Sequence, residues 1–211
     1  MNENTPMLVG LCGRSGSGKG YISRLFEKYG IPSIDTDTVY RELTAPSTGL
    51  SPCMHEITAR FGSNAALEDN SLNREYLRKL VFSGNAQALS DLNKITHKYI
   101  LAETLLKADE YCKNGFNIVL IDAPLLFESG FSNICDYIVC VVASEETLVN
   151  RIMDRDGISR EDAIRRLNTQ ISNEELKRRS DFVIYNEDDD PVSSEIEALA
   201  QKIHLLYLSK L

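Results

Sequence analysis

A glycine-rich stretch near the amino terminus has the residue types and spacing of a phosphate-binding loop. Residues 13–19 read GRSGSGK, with four residues between Gly13 and Gly18 and with Lys19 directly after the second glycine. Because glycine has no Cβ, backbone N–H groups can converge there on phosphate oxygens. The pattern predicts a nucleoside triphosphate site in which Lys19 bridges the outer phosphates. The alternative is a flexible glycine turn between a strand and a helix.

The residue after the lysine departs from the usual form of this motif. A Ser or Thr normally follows the lysine, and its hydroxyl contacts Mg²⁺. Here Gly20 follows, and then Tyr21. We therefore expect any Mg²⁺ to depend more heavily on carboxylates from elsewhere in the chain.

Three aspartates end apolar runs that we interpret as strands. Asp35 and Asp37 close the run that begins at residue 31, and Asp122 closes the run that begins at residue 116. Next to bound phosphates, one acid can accept the proton of an acceptor hydroxyl while the others hold Mg²⁺ through water. We assign Asp37 to the proton and Asp35 and Asp122 to the metal. In the alternative interpretation, Asp37 caps a helix and Asp122 starts a turn.

Residues 151–179 are rich in arginine, and we interpret them as a helical lid over the nucleotide. Arginines that close over a transferred phosphoryl group neutralise its growing charge and expel water. We select Arg155 and Arg166 for this role. Six acids share the segment, so the alternative is a solvated helix face. The seven arginines are Arg151, Arg155, Arg160, Arg165, Arg166, Arg178 and Arg179.

Short apolar runs alternate with longer helical patterns along the chain, which is typical of a parallel sheet flanked by helices. We predict a doubly wound α/β fold with five strands, at residues 7–12, 31–35, 116–122, 137–143 and 181–185. The last helix is predicted from residue 191 onward, with Asp190 as its N-cap and Pro191 in its first turn.

About eighty residues between the second and third strands show helical patterns at 51–62, 73–82 and 87–113. We predict one domain with a core at 1–45 and 114–211 and an inserted helical lobe at about 46–113.

The composition excludes several classes of protein. The chain has 211 residues and a net charge of −8, which argues against general nucleic-acid binding. The five cysteines form no Cys-x-x-Cys pair, and Cys12 and Cys140 lie in apolar runs, so we expect buried free thiols in a reducing compartment. With a polar amino terminus and no long apolar segment, the sequence predicts a cytoplasmic protein that does not bind membranes.

The chain resembles the dephospho-coenzyme A kinase family over most of its length. Asn73 stands where the family has Asp, and Lys98 where it has Pro after His97. After the lysine the family has Ser followed by Thr or another residue, where this chain has Gly20 and Tyr21. His97 itself is interpreted as structural. The matching segments are residues 9–19, 34–37, 72–74, 81–82, 124–128 (PLLFE, the most distinctive), 155–156, Arg166 with Gln170, and 181–184 with Asn186.

The resemblance implies transfer of the ATP γ-phosphoryl to the ribose 3′-hydroxyl of dephospho-coenzyme A, with Mg²⁺. Asp37 matches the second, catalytic carboxylate of the family's Asp-x-Asp element and would deprotonate the acceptor hydroxyl, assisted by Lys19 and Arg155. The helical lobe would bind the acceptor. We expect a monomer or small homo-oligomer whose partners are these small molecules. The residues implied for the nucleotide are Gly13, Arg14, Ser15, Gly16, Ser17, Gly18, Lys19, Gly20, Tyr21, Arg155, Arg166 and Asn186.

Two other functions remain open on the sequence alone. One is a different nucleoside or nucleotide kinase of similar fold. The other is a regulatory nucleotide-binding protein that turns over slowly because Gly20 replaces the hydroxyl that contacts Mg²⁺.

Overall fold

The computed structural model describes residues 5–82, 86–187 and 192–210. Within them lies one parallel sheet with the strand order β2-β3-β1-β4-β5. The strands are β1 (Met7–Cys12), β2 (Ser33–Asp35), β3 (Ile118–Asp122), β4 (Tyr137–Val142) and β5 (Phe182–Tyr185). Each predicted strand is present, although four of the five are one or two residues shorter than their apolar runs.

The three central strands are buried along almost their whole length, because helices cover both faces of the sheet. Every residue of β1 and β3 is buried. Their continuous apolar sequences are what a two-sided core requires. The doubly wound α/β fold predicted from the sequence is therefore confirmed.

Nine α-helices connect or flank these strands in the described chain. They are α1 (Lys19–Glu27), α2 (Thr36–Leu43), α3 (Pro52–Phe61), α4 (Arg74–Phe82), α5 (Ala86–Lys113), α6 (Glu145–Asp156), α7 (Arg160–Asn168), α8 (Asn173–Arg178) and α9 (Ser193–Leu208).

The chain divides into two compact units. One unit runs through Asp35 and resumes at Lys107, and it contains the whole sheet. Its main core joins β1, β3 and β4 to the apolar faces of α1 and α9, with Phe26 and Ile196 among the fully buried side chains.

The second unit, Thr36–Leu106, is helical and has its own core. Met54, Ile57 and Leu77 lie in that core. Its α3 begins where the Ser51 hydroxyl accepts a hydrogen bond from the Met54 N–H at 3.2 Å. This unit includes α2 and ends at Leu106, whereas the lobe is predicted at about 46–113. The organisation as one domain with an inserted lobe stays a prediction.

Several smaller predictions can be compared with the structure. The last helix begins at Ser193, and the predicted cap Asp190 and first-turn Pro191 lie outside the described residues. All five cysteines lie within the described ranges as free thiols, and Cys12 and Cys140 are buried as predicted. No helix in the described part of the chain has both the length and the apolarity to cross a membrane.

Candidate active site

The loop between β1 and α1 is shaped by three glycines that no other residue could replace without strain. A Cβ on Gly13 would lie 2.6 Å from both the Ser17 Oγ and the Val141 carbonyl oxygen. Gly16 and Gly18 have φ angles of +84° and +85°, in the left-handed region that L side chains rarely adopt. The glycine spacing of the motif is therefore a requirement of the loop's backbone.

This loop presents unpaired amide donors. Across the described ranges, the N–H groups of Gly16, Gly18, Lys19 and Gly20 have no hydrogen-bond acceptor in the protein. The last two lie in the first turn of α1, whose leading amides have no partner within the helix and carry the positive end of its dipole. Such a cluster of donors is suited to an anion with several oxygens, as a phosphate chain has.

Lys19 and Asp122 form a nearly buried ion pair beside the loop. The Lys19 Nζ lies 2.7 Å from the Asp122 Oδ1, and the two side chains are 14% and 11% exposed. Asp122 ends β3, and Asp35 is its register partner at the end of β2. The structure thus brings together the predicted phosphate lysine and both predicted metal-site acids at the carboxyl edge of the sheet.

This donor set fits Mg²⁺. The ion usually binds one or two carboxylates, waters and substrate phosphates, and does not need an all-protein cage. Asp35 and Asp122 can supply the carboxylates in this way. In the described chain, no group of three or more His, Cys, Asp or Glu side chains could hold a metal ion by itself.

Two loop positions are relevant to the Mg²⁺-contacting hydroxyl that is absent after Lys19. They are Gly20, which replaces the usual Ser or Thr, and Ser17, which carries a hydroxyl nearby in the sequence. A Cβ built on Gly20 would meet no described atom within 4 Å, so a larger side chain would fit there. The Ser17 hydroxyl is buried and has no hydrogen-bond partner in the part of the chain that the structure describes.

Asp37 lies in a different unit from the loop. It is the second residue of α2, in the first turn, where a carboxylate is favourable next to the helix dipole. Thr36 is the first residue of that helix and Asp35 ends β2. The catalytic role of Asp37 stays a prediction.

The segment 151–179 contacts the loop through α6. The Arg155 Nη2 donates to the Ser15 Oγ at 3.1 Å, and the Arg151 Nη1 donates to the Gly16 carbonyl at 3.3 Å. Arg151 was not singled out from the sequence, although it lies one helical turn before Arg155 and so faces the same side.

Asp156 joins the two arginines that the sequence selected. Its carboxylate accepts from the Arg155 Nε at 2.8 Å and also pairs with the Arg166 Nη1. The hydrogen bonds from Arg155, and next those from Arg166, lower the pKa of Asp156 to about 2.

The other arginines of the segment are engaged mainly in pairs at its surface. Arg160 pairs with Glu146, and Arg165 pairs with Asp162 on its own helix. The Ser159 hydroxyl accepts from the Asp162 N–H at 3.1 Å and so caps the amino terminus of α7.

The structure also shows the surroundings of three further residues that were named from the sequence. The Arg14 Nη2 donates to the Leu167 carbonyl at 2.8 Å, at the carboxyl end of α7. The Tyr21 side chain is exposed on α1. His97 is partly buried in α5, within the helical unit, and burial lowers its pKa.

Two side-chain amides contact the loop in a way that the sequence did not indicate. The Gln170 Oε1 accepts from the Ser15 N–H at 3.0 Å. The Asn186 Nδ2 donates to the Ser17 carbonyl at 2.8 Å, although the resemblance placed Asn186 at the nucleotide itself. No spacing rule connects positions more than 150 residues apart, so only the fold reveals these contacts.

A pocket adjoins the loop on the side of the PLLFE segment. It is lined on the loop side by residues 12–14, on the other side by residues 124–128, and by Gln170, Ile171 and Leu176. The distinctive pentapeptide therefore lies across this pocket from the first residues of the loop.

The parallel sheet, the glycine loop with its lysine, and the acids at neighbouring strand ends define a P-loop phosphotransferase. Comparison with known proteins makes the assignment specific. The family model for dephospho-CoA kinase matches residues 7–191. The chain therefore belongs to the dephospho-CoA kinase family, which confirms the resemblance and the classification as a kinase.

Individual relatives agree with the family model. A dephospho-CoA kinase from Listeria monocytogenes is 36% identical over 84% of this chain and 87% of its own length. The crystal structure of TT1252 from Thermus thermophilus matches with a TM-score of 0.76 and 27% identity, covering 95% of this chain and 98% of its own. A dephospho-CoA kinase structure from Campylobacter jejuni matches with a TM-score of 0.65 and 26% identity, covering 93% and 96%.

Proposed function

We propose that this protein transfers the γ-phosphoryl group of ATP to the 3′-hydroxyl of dephospho-coenzyme A, giving coenzyme A and ADP. The bond between the γ-phosphorus and the bridging oxygen breaks, and a bond to the ribose oxygen forms. The hydroxyl proton goes to a base. The observation that carries the proposal is the unpaired amide cluster beside Lys19, in a chain of the dephospho-CoA kinase family.

Lys19 and the loop amides bind and position the phosphates. An ammonium group has three N–H donors, and one of them is bonded to Asp122, so two can reach phosphate oxygens. Phosphoryl transfer needs mainly alignment and charge neutralisation, which these donors supply.

Asp37 orients the acceptor hydroxyl and takes its proton. This role rests on the Asp-x-Asp element at residues 35–37 and on the need for a base at the acceptor. Asp35 and Asp122 would hold Mg²⁺ through water. The ion, when bound, neutralises charge on the phosphates.

Arg155 and Arg166 act from the lid at 151–179. Arg155 already contacts Ser15 of the loop, and Asp156 couples it to Arg166. Guanidinium groups placed there stabilise the negative charge of the transferred group. The helical unit, Thr36–Leu106, contributes no residue to the loop, and we propose that it binds the acceptor.

Small molecules are the partners that this reaction needs, namely ATP and dephospho-coenzyme A. We also propose that the protein is cytoplasmic and is a monomer or a small homo-oligomer. We expect it to bind neither nucleic acid nor membranes. The net charge of −8 supports the expectation about nucleic acid.

A coupled assay of ADP release tests the function. We expect ADP release that depends on both dephospho-coenzyme A and Mg²⁺, and little release with other nucleosides or nucleotides as acceptors. Faster turnover of another acceptor would favour a different kinase activity. ADP binding in calorimetry without turnover of any acceptor would favour a regulatory nucleotide-binding protein.

A further inference from the structure

Two side-chain amides from distant parts of the chain form hydrogen bonds with two separate peptide groups of the phosphate-binding loop. Gln170 follows α7 and accepts from the Ser15 N–H at 3.0 Å. Asn186 follows β5 and donates to the Ser17 carbonyl at 2.8 Å. One contact engages a loop donor and the other a loop acceptor, so together they fix the orientation of two peptide planes.

The Asn186 contact is built into the core of the unit. The residue is only 7% exposed, and its own N–H donates to the Val142 carbonyl at 2.9 Å. A Cβ on Gly18 would lie 2.2 Å from the Asn186 Nδ2, so the amide packs directly against the loop backbone. A buried side chain held at both its backbone and its amide has little freedom to turn towards another ligand.

The Gln170 contact is reinforced by the turn that carries it. The Gln170 N–H donates to the Leu167 carbonyl at 3.0 Å. The same carbonyl accepts from the Arg14 Nη2 at 2.8 Å. Two consecutive loop residues, Arg14 and Ser15, are thereby tied to the carboxyl end of α7.

These contacts leave the loop's other amides for a ligand. Within the described chain, the loop amides without an acceptor include those of Gly16, Gly18, Lys19 and Gly20. The Gly16 N–H lies between the two held peptide groups, and the Gly18 N–H belongs to the same peptide as the Ser17 carbonyl. A row of donors binds an anion tightly only when its peptide planes are already oriented, because orienting them on binding would cost affinity.

We propose that Gln170 and Asn186 are positioning residues that pre-orient the phosphate-binding loop without touching the nucleotide. This proposal adds to the proposed function. It depends on that function in one respect only, namely that this loop binds the phosphates of ATP. It gives Asn186 a role through the loop in place of a direct contact with the nucleotide.

The test compares Gln170→Leu, Gln170→Glu and Asn186→Asp, with Gln201→Leu on the exposed side of α9 as the control. Calorimetry measures ADP affinity, and amide hydrogen exchange measures protection of the Ser15 N–H. We expect Gln170→Leu to lose Ser15 protection and about tenfold in ADP affinity. Gln170→Glu keeps an acceptor oxygen and should retain the protection. Asn186→Asp sets an oxygen against the Ser17 carbonyl and should weaken ADP binding at least tenfold.

Steady-state kinetics separate positioning from general stabilisation. A pre-oriented loop binds the phosphates equally well in the ground state and in the transition state. In Gln170→Leu and Asn186→Asp, the KM for ATP should therefore rise about tenfold while kcat stays within about threefold. A Gln170→Leu protein with wild-type ADP affinity and Ser15 exchange would overturn the proposal. So would variants with a lower melting temperature but unchanged ADP affinity.

The two proposals fail separately. ADP binding requires no acceptor, so it reports on the loop alone. A wild-type protein that releases no ADP with dephospho-coenzyme A, while its variants show the expected affinity losses, would overturn the proposed function and uphold the positioning role.

Discussion

The ammonium group of Lys19 lies 2.7 Å from the carboxylate of Asp122, so the loop lysine is bonded to the acid that ends the neighbouring strand β3. Both side chains are nearly buried, and a charge in that position is costly without its partner. The pair therefore holds the lysine in a fixed place at the carboxyl edge of the sheet. Because we propose that Lys19 binds the nucleotide and that Asp122 binds the metal, we expect the two binding events to be coupled at this pair.

Replacing Lys19 by alanine should lower kcat at least a hundredfold, because the phosphates lose their ammonium donor and Asp122 loses its counter-charge. Lys28→Ala, at the exposed carboxyl end of α1, is the control and should leave kcat unchanged. The coupled ADP-release assay measures both. Near-normal activity of Lys19→Ala would remove the lysine from the phosphate site.

The fold could be predicted from the sequence because its signals are local. The runs at 116–122 and 137–143 are almost continuously apolar, and only strands buried on both faces need that composition. The meeting of Asp35 with Asp122 also follows from the pattern, since parallel strands end at one edge of the sheet.

The contacts that shape the site could not be predicted in the same way. Lys19 and Asp122 were assigned separately to phosphate and metal, and their ion pair depends on the direction in which each side chain leaves its element. The contacts of Gln170 and Asn186 with the loop join residues 155 and 169 positions apart. No periodicity reports such a contact, because it arises only when the whole sheet is assembled.

Gly20→Ser should keep or raise activity and lower the Mg²⁺ concentration needed for half-maximal rate. The described structure leaves open space where the new side chain would go, and the hydroxyl restores a common Mg²⁺ contact of this motif. Gly20→Ala fills nearly the same space without a hydroxyl and serves as the matched control. A Mg²⁺ titration of both variants checks the prediction, and loss of activity in Gly20→Ser alone would contradict it.

Asp37→Asn should lower kcat about a hundredfold or more while the KM for ATP changes less than about threefold. The amide cannot accept the hydroxyl proton, and general bases contribute on this scale. Glu68→Gln, an exposed substitution in the same helical unit, should leave both constants unchanged. The opposite pattern, a raised KM with a normal kcat, would count against the role as base.

Arg155→Ala should reduce kcat about tenfold to a hundredfold, whereas Arg165→Ala should stay within about twofold. Arg155 contacts Ser15 of the loop, but Arg165 pairs with Asp162 on the surface of its own helix. The comparison keeps residue type and charge constant and changes only the place in the lid. Equal losses in the two variants would show that the lid acts through its overall charge.

The carboxylate of Asp156 should contribute to stability at neutral pH and lose that contribution only in strong acid. Hydrogen bonds from Arg155, and then from Arg166, hold its pKa at about 2 in the folded protein, below the ordinary value of 3.8. A group whose pKa is lowered by folding stabilises the folded state above its unfolded pKa, and the effect is lost as pH falls towards the folded pKa. The difference in the free energy of unfolding between wild type and Asp156→Asn should therefore be constant from pH 8 to about 5. It should fall to about half by pH 3. Urea unfolding over this range measures it, and a difference that declines between pH 8 and 6 would contradict the assignment to Asp156.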